Sequence, residues 1–177
     1  RLSEPRPPVV MLSALQRDDE VVAGLEVGAD DYVRKPFNHK ELLLRIEKLL
    51  ERRTGEAAQR GQPPHRVEFD YVTIDLDRSE VHRDGERIPL TPTEARLLGV
   101  LVRSAGYPVA NEELLRSVWD STDWTGAYDL IKVNIRRLRK KIELNPNKPR
   151  LLLNRRGLGY VLMSPSEYSG GISRGPL

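Results

Sequence analysis

No cysteine occurs in the chain, and histidine, methionine, phenylalanine and tryptophan appear only two or three times each. Without thiols there are no disulfides, iron–sulfur clusters or cysteine nucleophiles. His39, His65 and His82 stand too far apart for metal-ligand spacing, so no metal site is expected. No apolar run approaches the roughly 20 residues that a bilayer-crossing helix needs. The opening RLSEPRPPVV also lacks the charged-then-apolar order of a secretion signal. These absences point to a cytoplasmic protein with no membrane contact. Nucleophile, base and orienting group are not grouped anywhere, so neither catalytic residues nor a cofactor are expected.

What is present is globular in character, 38% hydrophobic and 31% charged over 177 residues. The net charge of +3 is small but unevenly placed. Residues 1–53 balance ten basic against ten acidic side chains, and 54–126 carry eight against thirteen. Residues 127–163 carry ten basic against two acidic. A block of one sign in an otherwise balanced chain suggests a polyanionic partner.

The apolar run PVVMLSA at 8–14 has no helical period and suits a strand of a parallel sheet. A helix is expected over 17–27, with Asp18, Asp19 and Glu20 in its first turn and Gly28 closing it. Tyr32 and Val33 form a second strand, Lys35-Pro36 ends it, and Asn38 with Glu41 opens a helix whose buried stripe is Leu42, Ile46 and Leu49. Residues 54–66, TGEAAQRGQPPHR, read as a linker, and alternating segments between Val67 and Leu90 predict an antiparallel sheet with a hairpin turn at Asp84-Gly85. Thr91-Pro92-Thr93-Glu94 is a helix start with a capping box, and a second helix follows Asn111. SPSEYSGGISRGPL has no apolar period, so 165–177 is expected to be a disordered tail.

The third helix, Asp129 to Glu143, carries the chemistry. Ile131, Ile135, Leu138 and Ile142 fall on one stripe, while Val133, Arg136, Arg137 and Lys140 point away, flanked by Lys132 and Arg139 and by Asn134 and Lys141. Such a helix fits the major groove, where arginine pairs with guanine and lysine meets phosphate, although a merely solvated basic face has the same pattern. The strands at Leu151 to Asn154 and Tyr160 to Met163 enclose Arg155-Arg156-Gly157-Leu158-Gly159 and hold two arginines at a hairpin tip. Three helices followed by a basic hairpin form a winged helix-turn-helix. The candidate DNA contacts are Lys132, Val133, Arg136, Arg137, Lys140, Arg155 and Arg156.

LTPTEARLL, VNIRRLRKKIE and RRGLGY, in that order, closely resemble the effector domain of OmpR/PhoB-type response regulators, a resemblance that covers roughly 67–163. VVMLSA and GADDYVRKPF resemble the last part of a CheY-like receiver. The expected fold is an α/β receiver fragment at 1–53 followed by an α+β winged helix-turn-helix domain: an antiparallel sheet, three helices and a C-terminal wing. The resemblance implies that Ser13 senses a phosphoryl group, Lys35 contacts it, Pro36 follows a cis peptide and Tyr32 is an aromatic switch. Taken singly these are equally a strand-end hydroxyl, a surface cation and an edge aromatic. It also implies a homodimer in which Asp30 and Asp31 meet Arg45 and Arg52, a sensor histidine kinase for any full-length form, and RNA polymerase as a partner at promoter DNA. The acceptor aspartate of that family would precede Arg1, so no phosphorylation site is expected in the chain as given. A rival reading keeps the fold but makes the chain a protein-interaction module working through its loop at 120–127.

Overall fold

The computed structural model describes residues 7–14, 28–37, 65–119 and 127–170, together with His39, Leu42, Leu43 and Ile46. The helix expected over 17–27, the linker over 54–64 and the loop over 120–126 lie outside the described residues.

β1 (Val10–Ser13) and β2 (Asp31–Arg34) pair in parallel, with Val10 opposite Asp31 and Ser13 opposite Arg34. His39, Leu42, Leu43 and Ile46 are helical, and Leu42 and Ile46 of the expected stripe are half-buried.

Four short strands follow as a meander: β3 (Arg66–Phe69), β4 (Val72–Asp75), β5 (Glu80–Arg83) and β6 (Glu86–Pro89), in that spatial order. Alternation turns Val67 and Phe69 inward, where Ile74 and Val81 are also buried. Asp84 and Gly85 join β5 to β6 with φ of 54° and 80°, the paired positive values of a type I′ turn.

α1 (Pro92–Arg103) starts on the expected capping box: the Thr91 hydroxyl accepts from the Glu94 amide at 3.3 Å and the Glu94 carboxylate from the Thr91 amide at 2.8 Å. With α2 (Asn111–Trp119) and α3 (Ala127–Ile142) it encloses Leu97, Leu98, Leu101, Leu114, Leu115, Ile131, Ile135, Leu138 and Ile142, all essentially inaccessible. Each such side chain contributes on the order of 2 kcal/mol by leaving water.

The wing is β7 (Leu152–Arg155) with β8 (Gly159–Leu162). A third segment joins it, because Val109 and Tyr160 exchange backbone hydrogen bonds of 2.7 and 3.0 Å. Gly159 has φ +110°, and a Cβ there would overlap the Val109 carbonyl oxygen and stand 2.8 Å from its carbon. Glycine is therefore required twice over, by conformation and by space.

The expectation of a disordered tail is corrected for 165–170, which form α4 (Pro165–Gly170). The Ser164 hydroxyl accepts from the Glu167 amide at 3.3 Å and donates to the Glu167 carboxylate at 2.9 Å. Tyr168 is buried, edge-on to Phe69 at 5.6 Å and to Tyr71 at 6.2 Å, with the Arg150 guanidinium 5.7 Å from its ring. One aromatic anchor suffices for a six-residue helix that has no periodicity to read.

Candidate nucleic-acid interface

Cations of α3 divide into those spent on the fold and those left at the surface. Lys141 donates to the Glu94 carboxylate and to the Pro89 carbonyl, both at 2.6 Å. Arg139 Nε donates to the Leu152 carbonyl at 3.0 Å. Asn134 is fully buried and returns its amide to the Leu130 carbonyl one turn back. Lys132, Arg136 and Lys140 are exposed. Spaced four residues apart, they form one stripe along the helix. Lys132 pairs with Asp129 at 2.9 Å, and Asp129 lies in the first turn of the helix, where a negative charge is favoured. One residue earlier, the Tyr128 hydroxyl donates to Glu112 at 2.7 Å and holds that exposed carboxyl below its ordinary range.

Two expectations for α3 change. Val133, expected to face outward, is buried, in the same apolar cluster as Ala29 and Met11. Arg137 is half-buried and donates to the Ala29 carbonyl at 3.0 Å. Close by, the Thr93 hydroxyl donates to the Asp30 carbonyl at 3.0 Å. The 29–30 turn thus lies against α3 and the start of α1, and the outward face inferred from the helical wheel is shortened by it.

Arg155 and Arg156 are exposed at the wing tip as expected, beside the exposed Leu158. Tyr160, opposite Asn154 in the wing, is buried, which raises its phenol pKa.

In the receiver segment Ser13 ends β1 and Lys35 follows β2, and the Lys35 amide donates to the Ser13 carbonyl at 2.7 Å. The two come together as their spacing requires, and the Lys35-Pro36 bond is cis. Tyr32 lies within β2. Asp30 and Asp31, read as surface partners in a dimer, are buried instead: the Asp30 carboxylate accepts from the Val9 amide at 2.8 Å. Arg45 and Arg52 lie outside the described residues.

Sequence reasoning passed over Glu143. It accounts for one of the two acids in the basic block 127–163 and sits at a helix C-terminus, where the helix dipole disfavours a negative charge. An acid in that position needs another reason to be there, and that was the available signal. Its carboxylate accepts three backbone amides, and Arg83 Nη1 donates to the carbonyls of Lys140, Lys141 and Glu143 at 2.9–3.1 Å.

Residues 1–47 match the response regulator receiver domain, and 85–162 match the transcriptional regulatory protein C-terminal domain. The probable transcriptional regulator ycf27 of Guillardia theta is 41% identical over 157 residues, 87% of this chain and 61% of that protein. Its counterpart in Cyanophora paradoxa is 38% identical over 162 residues, 90% of this chain and 68% of that protein. The chain therefore spans between three fifths and somewhat over two thirds of these relatives' lengths. Among solved structures, response regulator DrrB, a Thermotoga maritima OmpR/PhoB homolog, is 36% identical with a TM-score of 0.51, covering 89% of this chain and 67% of that one. With its receiver strands, its winged helix and these relatives, the chain belongs to the OmpR/PhoB-type response regulators.

Proposed function

We propose that the protein binds double-stranded promoter DNA sequence-specifically and regulates transcription, without catalysing a reaction. The observation that carries this reading is the exposed stripe Lys132, Arg136 and Lys140 on α3, joined in one domain to a wing that ends in Arg155 and Arg156. The helix enters the major groove, with Arg136 reading a base edge and Lys140 on phosphate, and the wing arginines take the neighbouring backbone or groove. Val133 is no longer in this set. Arg137 joins it only when the 29–30 turn withdraws from α3.

A homodimer, cytoplasmic location, RNA polymerase as a partner and a sensor kinase acting on a longer form accompany this reading, supported by family membership. Dimerisation through Asp30 and Asp31 requires that they leave their buried positions.

Selection of bound duplexes from random-sequence DNA tests the proposal. One enriched motif is expected, with affinity falling about 100-fold between roughly 50 and 200 mM salt if about four phosphates are contacted. Arg136→Ala should cost about 1–3 kcal/mol and relax preference at one base, whereas Lys140→Ala weakens all sequences alike. Failure to enrich any motif, or affinity indifferent to salt, would overturn it.

A further inference from the structure

The candidate contacts sit on two elements, a helix and a hairpin, and their relative placement decides whether one duplex can meet both. Glu143 follows the last residue of α3 and is almost wholly buried. Its Oε1 accepts from the amides of Leu151 at 2.9 Å and Leu152 at 2.8 Å, its Oε2 from that of Arg150 at 2.9 Å, and the Tyr71 hydroxyl approaches Oε2 at 3.5 Å. Leu152 is the first residue of β7, and its carbonyl is held by Arg139 Nε. Two side chains four residues apart, one in the last turn of α3 and one just past its end, therefore grip both backbone polar groups of the residue from which the wing departs.

We propose that Glu143, assisted by Arg139, is a positioning residue that fixes the angle between the recognition helix and the wing. This rests on the reading that both elements bind DNA. The lever is short but demanding. At roughly 3.3 Å per residue the wing tip lies about 10–13 Å from the grip, so a 10° rotation at Leu152 displaces Arg155 and Arg156 by about 2 Å, enough to break a hydrogen bond. A purely structural role also satisfies three amides, two of them on residues that are fully buried, so stability alone does not separate the two roles.

The test reads geometry and binding separately, in the whole chain. Since the protein has no cysteine, spin labels at Lys132→Cys on α3 and Leu158→Cys at the wing tip are unique. The distance distribution between them is expected to be narrow in the parent and broader in Glu143→Gln, which keeps one acceptor but turns an amide group toward the Arg150 amide. Arg139→Met, which removes the donor to Leu152 and leaves the Glu143 carboxylate in place, serves as the second variant if Glu143→Gln fails to fold.

Affinity for a duplex enriched by the parent chain is then measured in a double-mutant cycle with the paired change Arg155→Ala and Arg156→Ala. Glu143→Gln should weaken binding about fivefold with the wing arginines present and less than about twofold without them. An unbroadened distance distribution overturns the grip whatever the DNA result. Losses that simply multiply overturn the coupling. A parent that enriches no duplex overturns the DNA reading, while the spin-label distances still decide the grip.

Discussion

The winged-helix unit closes Leu97, Leu101, Leu114, Leu138 and Ile142 away from water, whereas at β1 the apolar Val9 and Leu12 remain 42% and 41% exposed. Both regions are built from apolar segments of ordinary strength. They differ in what covers them. In the effector a sheet, three helices and a hairpin share one cluster, while the described receiver residues are a parallel pair, one turn against α1 and α3, and the helical His39, Leu42, Leu43 and Ile46. A strand of a parallel sheet acquires its stability from layers on both faces, so the same run of residues is a core in one setting and a half-open surface in the other.

The sharpest way to break the effector's closure is Gly159→Ala. The added methyl meets the Val109 carbonyl while the backbone stays at φ +110°, so the bridge or the wing must move. A loss on the order of 3 kcal/mol is expected, read as a lower urea midpoint. The same change at Gly157, also at positive φ but with open space around it, should cost clearly less. Equal losses at the two glycines would show that conformation alone matters.

Next in size is Tyr168→Ala, expected to cost about 2–3 kcal/mol because the ring is buried against Phe69 and Tyr71. Deleting 165–177, which reads from sequence as a disordered tail, should cost the same. An unchanged midpoint after either change would show that α4 does not contribute to the effector's stability.

Thr93→Val probes the join between the regions. Loss of the hydrogen bond to the Asp30 carbonyl should cost about 1 kcal/mol and speed hydrogen exchange at the Asp30 and Asp31 amides, both bonded to the Val9 carbonyl. Unaltered exchange there would mean that the turn is held by its own strands alone.

These positions also separate what the sequence makes legible from what it does not. Thr91 and Glu94, Asp84 and Gly85, and the apolar stripe of α3 are local patterns, each built from residues that follow one another within about one helical turn, and each formed as expected. The backbone bond from the Lys35 amide to the Ser13 carbonyl follows in the same way from parallel pairing. Val133 and Arg137 were misplaced because their surroundings come from a segment about a hundred residues away, and a helical wheel knows only its own helix; Asp30 is held by Val9 and Thr93, 21 and 63 residues away. Tyr168 escaped because a single aromatic in six residues has no period. Glu143 was visible only as a charge in an electrostatically wrong place, and its three amide partners lie seven to nine residues on.

The smallest expected effect concerns pH and joins α4 to the wing base. Burial pushes the Tyr71 phenol well above its ordinary value of 10.0, and the Glu143 charge and then Tyr168 push it in the same direction. The fold thus favours the neutral phenol. Below about pH 10 this contribution is fully present. As pH rises toward the folded-state pKa, the unfolded chain loses a proton that the folded chain keeps, and stability falls. Tyr71→Phe has no such proton. At neutral pH it should cost under about 1 kcal/mol, since the hydrogen bond to Glu143 is long at 3.5 Å. Above about pH 10 the parent should lose its advantage and the phenylalanine variant become the more stable. Tyr160, raised by its own burial, is common to both proteins and cancels in the difference. Urea midpoints of the pair between about pH 8 and 11 read that difference directly, and two curves that stay parallel throughout would show that Tyr71 is not held neutral by its surroundings.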